Sequence, residues 1–133
     1  MSPRAMLILM LIPALSPLGC VHSRQVTWRL TEPDEMREVI RGHIPMGTEA
    51  SAAQEFMESE GFQCTVQTDA EFCERTSWTT DSIIRQHKGI DFIQCKRVQG
   101  AGHFLMSSIW TIALVLEDDI VSDVLVAHYV DGP

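Results

Sequence analysis

The spacing of apolar residues changes along the chain, and each change predicts a different element. Ala5 to Leu15 is an unbroken apolar run of 11 residues with no polar position at helical spacing. From Thr31 the period becomes helical. Glu32-Pro33-Asp34 places a proline and acids at the helix start, Met36, Val39 and Ile40 share the inward face, and Gly42 marks the end. A second helix is predicted over Glu49 to Glu60. Thr48 can cap its free N–H groups, Gly61 can take the left-handed exit, and Ala50, Ala53, Phe56 and Met57 form one apolar stripe.

Alternation then takes over. Phe62 to Thr68 and Ile90 to Val98 read as strands. Between them, Asp69 to Lys88 is polar and turn-prone, with room for a short helical turn around Ser82 to Gln86. Gln99-Gly100-Ala101-Gly102 reads as a loop. Ile109 to Leu116 and Ile120 to Val130 form the strongest hairpin, rich in β-branched residues and turned at Glu117-Asp118-Asp119. Trp110, Ile112, Leu114 and Leu116 share one of its faces. The order helix, helix, strands predicts an α+β domain: two short N-terminal helices packed on one face of a three- to four-stranded antiparallel sheet. Neither layer can bury its apolar side alone.

Length and charge narrow the setting. The 133 residues suit one small core, and 45% apolar against 21% charged residues favours folding over disorder. Lys and Arg total 10 against 18 Asp and Glu, a balance that disfavours nucleic acid as a partner. Arg4 is the only charge before Arg24, so the run Ala5 to Leu15 has the layout of a secretory signal. Eleven residues at ~1.5 Å each cross about half of a bilayer core. A buried cytosolic helix or an uncleaved anchor over Ala5 to Ser23 fits less well. The first should show polar positions, and Pro13, Pro17 and Gly19 interrupt the second. The expected division is an export signal over 1–19, a tether over 20–30 and a single α+β domain over 31–133.

Ala14 and Ser16 suit a signal peptidase, but Pro17 would follow that cut. Leu18-Gly19-Cys20 resembles the lipobox of bacterial lipoproteins, with Pro17 and Leu18 departing from its commonest form. The resemblance implies that Cys20 becomes the first residue, bears a thioether-linked diacylglycerol and is N-acylated. Several acyl chains on one residue hold a protein to a membrane without a spanning helix. Val21 follows the cysteine where inner-membrane retention would need Asp, which by the family rule favours the outer membrane, facing the periplasm.

Cys64, Cys73 and Cys95 remain, with no Cys-x-x-Cys among them, so neither a zinc ribbon nor a thioredoxin-type pair is indicated. An oxidising compartment favours one disulfide. Cys64 and Cys95 both fall on the apolar phase of their strands, with Phe62 and Val66 in one and Ile93 in the other, and are the expected pair. A Cys64–Cys73 bridge is the alternative. Cys73, between Glu71 and Glu74, is expected to be a poor nucleophile because nearby carboxylates disfavour the thiolate.

The whole pattern also resembles the small outer-membrane-assembly lipoproteins of the SmpA/OmlA type. Ile44-Pro45-Met46-Gly47-Thr48 opens a short helix with Ala52 or Ala53 inside it. Trp110 begins a strand of alternating Ile112, Leu114 and Leu116. An acidic turn and a closing strand with Val121, Val124 and Val126 complete the likeness, over about 90 residues. Gly61-Phe62-Gln63-Cys64 and the cysteine pair depart from that family. The resemblance implies the fold and the envelope setting.

No catalytic constellation stands out. His22, His43, His87, His103 and His128 show no metal-ligand spacing, and His87 beside Lys88 reads as a solvated loop residue. A Cys95–His103 nucleophile pair can be written, but Cys95 is expected to be buried and bridged. Gly100-Ala101-Gly102 lacks the context of a phosphate loop, and Asp118-Asp119 reads as a solvated turn rather than a calcium site. Trp78 stands among hydroxyls in the polar middle segment, with Phe72 and Phe104 flanking the region, as candidate partner-binding residues. The expected function is a non-enzymatic cell-envelope lipoprotein that binds another protein, with no cofactor and no metal. The alternative is a soluble secreted binding or inhibitor module without a lipid, using the Trp78 loop.

Overall fold

The computed structural model describes residues 25–75, 83–100 and 107–131. The expected signal, Cys20, Trp78, His103 and Phe104 lie outside them. Two helices, α1 (Pro33–His43) and α2 (Ala50–Ser59), precede four strands: β1 (Gln63–Arg75), β2 (Ile83–Gly100), β3 (Ser107–Glu117) and β4 (Ile120–Asp131). The strands make one antiparallel sheet in the order β1-β2-β3-β4, so the chain is α+β.

Helix α1 starts as its sequence requires, with Pro33 in the first turn, Asp34 and Glu35 at the positive end and Arg41 and His43 at the other. Met36 and Ile40 are buried, and Val39 is half-buried. The capping role expected of Thr48 is not taken. Its hydroxyl donates to the Pro45 carbonyl at 2.6 Å, and α2 opens after Glu49 without a side-chain cap. Main-chain pairing serves that end instead: Ala50 N–H donates to Asp119 O at 2.9 Å, and Gly47 and Thr48 bond Val121 at the start of β4. Gly61 exits α2 at φ +90°, as expected.

One buried cluster joins Met36 and Ile40 of α1 and Ala53 and Met57 of α2 to Phe62, Ile93, Cys95, Trp110, Ile112, Leu114, Val121, Val124 and Val126. The face expected for Trp110, Ile112 and Leu114 is therefore core, with Leu116 packed at its margin. Val66 departs from the expected inward phase. It is 66% exposed although its partner Ile93 is buried.

The largest correction concerns Asp69 to Lys88. The described part of that segment is strand, not loop, and residues 83–86 hold no helical turn. β1 and β2 form a long hairpin that bends at its waist. Its register slips between Gln67 and Phe72, and Asp69 and Gly89 take left-handed φ of 49° and 64°. The Asp91 carboxylate accepts the Asp69 N–H at 2.8 Å and holds the bend. Beyond it the distal arm reaches back across the sheet. Phe72 packs edge-on against Phe92, with Ala113, Leu125 and Ala127 in the same second cluster. Phe72 is thus buried, not exposed to a partner. The apolar side chain supplies cover that neither α1 nor α2 provides there.

The loop expected at Gln99-Gly100 is also strand, paired to Ser108 and Ser107. The β3–β4 turn is tighter than expected. Asp118 and Asp119 alone make it, at φ 56° and 64°, the two-residue geometry that matches strand twist.

Candidate functional site

Three clusters hold the chemistry-bearing side chains. The first is the cysteine pair. Cys64 and Cys95 are direct partners across β1 and β2, and their sulfurs lie 3.2 Å apart. A disulfide would need ~2.05 Å, so both are thiols and the expected bridge is not formed. They are unequal. Cys95 is fully buried, and its pKa is pushed well up because its proton is shared with Cys64 and because burial opposes the charged form. Cys64 is half-buried, and its pKa is lowered because Cys95 can donate to its thiolate. Cys73, the alternative partner, sits further along β1 opposite Gln86, half-buried, with its sulfur 3.8 Å from a Glu71 carboxylate oxygen.

The second cluster centres on Arg97, a residue the sequence did not single out. Position 97 continues the inward phase of Ile93 and Cys95, so its guanidinium enters the domain beyond the start of β1. It is 4% exposed and lies between two rings, 4.1 Å from the Trp28 centroid and 4.3 Å from that of Phe62. Its N–H groups donate to Thr27 Oγ1 at 2.7 Å, Glu60 O at 2.8 Å, Thr27 O at 3.2 Å and Gln99 Oε1. Burial lowers its pKa to about 10, and the charge of Glu60 opposes that shift. The Glu60 carboxylate is itself buried and accepts from Val26 N–H, Thr27 N–H and the Thr27 hydroxyl. Gln25 adds a bond to Ser59 O at 3.2 Å. Of the segment expected to be a tether, residues 25–30 are therefore fastened to the end of α2 and to β2, with Thr27 wholly buried.

The third cluster lines a cleft of about 300 Å³ between α1, the distal arm and β4, with Arg37, Arg41, Glu74, Arg85 and Asp123 around it. Glu74, 4% exposed, accepts from Arg37 at 2.9 Å, contacts His87 Nε2 at 3.1 Å and receives the Val126 N–H at 3.5 Å. Arg37 also bonds Asp34 at 2.7 Å, and Arg41 bonds Asp123 at 2.8 Å. Each cation of the α1 face has an acid of its own, so the cluster clasps helix, arm and edge strand together. His87, expected to be solvated, is half-buried in this clasp.

Elsewhere, His128 stacks on Trp110 with centroids 3.7 Å apart and lies 2.7 Å from the Ser108 hydroxyl, and burial lowers its pKa. His43 stacks on Phe56. Among the described residues no three His, Cys, Asp or Glu side chains are grouped to hold a metal ion, and no helix is long and apolar enough to cross a membrane. A sequence signal for Arg97 existed in its phase along β2. Glu74 carried none, because its partners come from elements far apart in the chain. No family model, no curated protein and no solved structure matches this chain.

Proposed function

We propose that this chain is matured at Cys20 into a lipid-anchored module of the bacterial cell envelope, held at the outer membrane and facing the periplasm, that acts by binding another protein. The observation that carries the reading is Leu18-Gly19-Cys20 directly after an 11-residue apolar run preceded by one arginine. The motifs shared with SmpA/OmlA-type lipoproteins support the same setting. A non-catalytic role is supported by how the buried polar groups are spent. Arg97 and Glu60 fasten residues 26 and 27 to β2 and to the end of α2, and Glu74 ties β1 to α1, β2 and β4. In this reading the two helices form a layer over one sheet face, as their shared cluster with β2, β3 and β4 suggests. The partner-binding element is the connection between β1 and β2, which carries Trp78 and leaves the bent arm between Arg75 and Ile83.

Intact mass of the mature protein tests the anchor. The expected result is a chain starting at Cys20 with acyl groups attached, and detergent-phase partitioning that Cys20→Ala abolishes. Trp78→Ala should weaken recovery of a partner by cross-linking in cells while thermal unfolding stays unchanged. An unacylated mature chain in the medium would replace this reading with the soluble secreted binding module. A full-length cytosolic chain would end both.

A further inference from the structure

We infer that the end of the domain bearing Val26, Trp28, Arg29, Lys96 and Val98 rests on the bilayer that holds the Cys20 lipid. This inference depends on the anchor proposed above. Reach is the first argument. The domain is fastened from Gln25 onward by Ser59, Glu60 and Arg97. Five steps separate Cys20 from Gln25, which at ~3.4 Å each span about 17 Å when fully extended. A lipid on Cys20 therefore brings this end of the domain to the headgroups.

The chemistry of the surface is the second. Val26 is 38% exposed, Trp28 37% and Val98 55%, and Trp28 and Val98 line one shallow hollow with Gly61 and Lys96. The Trp28 ring is held there, with one face on Arg97 and its edge against Gly61, where an added Cβ would come within 2.8 Å of Cζ2. A tryptophan with one dry and one wet side suits the interface of a membrane. Arg29 and Lys96 are exposed beside it, and Arg24 lies in the connecting residues. Basic side chains are drawn to anionic headgroups.

Charge polarity is the third. Arg97 pairs with Trp110 on β3, and Glu117 lies seven residues further along that strand, about 23 Å away at ~3.3 Å per residue. There Glu117, Asp118 and Asp119 form the exposed acidic turn. An anionic membrane repels the turn, which keeps that end of the anchored domain away from the headgroups.

The test uses the lipidated protein carrying Trp78→Phe, which leaves Trp28 and the buried Trp110 as fluorophores. It is placed in vesicles of phosphatidylethanolamine and phosphatidylglycerol with brominated acyl chains. The expected result is quenching relative to unbrominated vesicles, lost in a further Trp28→Phe variant and reduced by Val98→Asp. A second arm replaces Cys20 by an N-terminal hexahistidine tag ahead of Val21 and tethers the chain to the same vesicles through nickel-chelating lipid. Quenching in that arm upholds the surface even if the native chain proves unacylated. Acylated protein that shows no quenching overturns the surface and leaves the anchor standing. Absence of quenching in both arms overturns it whatever the anchor.

Discussion

The sulfurs of Cys64 and Cys95 face each other at 3.2 Å across the first two strands, one half-exposed and one wholly buried. Oxidation of the pair would close a loop between residues 31 apart and stabilise the domain by ~3–4 kcal/mol in the chain-entropy account. Urea unfolding of reduced and oxidised protein should show that difference, and Cys64→Ser should remove it. In the reduced protein Cys64 should alkylate first, because its thiolate is favoured and Cys95 keeps its proton. Peptide mapping after brief iodoacetamide treatment reads the order. Equal labelling of both thiols would contradict the assignment.

Arg97 is the residue on which the N-terminal segment depends. Arg97→Met keeps the stem but leaves Thr27 O and Glu60 O without their buried donor. The expected cost is ~3–5 kcal/mol, the range for breaking a buried charged group away from its partners. Arg97→Lys should recover only part of it, since an ammonium cannot fork to several acceptors between two rings. Limited proteolysis should then cut within residues 25–30 before the rest of the domain unfolds.

His128 makes stability depend on mild acid. Burial lowers its pKa below the ordinary 6.5, so the unfolded chain takes up the proton first. Its contribution is fully present above pH 6.5 and is lost as the pH falls from there through the lowered folded value. Urea midpoints measured across that window should fall more steeply in the wild type than in His128→Gln. Parallel slopes would show that His128 does not carry the effect.

The bend of the long hairpin rests on two left-handed residues. Gly89→Ala places a Cβ at φ +64° and 3.4 Å from Asp69 Oδ1, so it should cost ~1–2 kcal/mol. Asp69→Gly, at φ 49°, relieves that conformation and should cost less than Gly89→Ala. Thermal unfolding ranks the two. If Gly89→Ala were neutral, the bend would not need glycine.

Much of the framework was legible in the chain itself. Helical and twofold periods placed both helices, the inner halves of β1 and β2 and the closing hairpin, because local backbone sterics and one-sided burial impose those periods. Phase along the strands put Cys64 opposite Cys95, while the state of the sulfurs was not legible, since redox chemistry is not a pattern. The arm from Asp69 to Lys88 read as loop because its outer positions are polar and Phe72 looked isolated. Only folding back at Asp69 and Gly89 supplies the Phe92, Ala113 and Leu125 surface that makes Phe72 core. Arg97 stood in the inward phase of β2, but the groups it meets there were hidden, and Glu74 carried no local signal at all. A charge becomes structural when residues distant in sequence converge to satisfy it, and such convergence is a property of the tertiary fold, which no local spacing encodes.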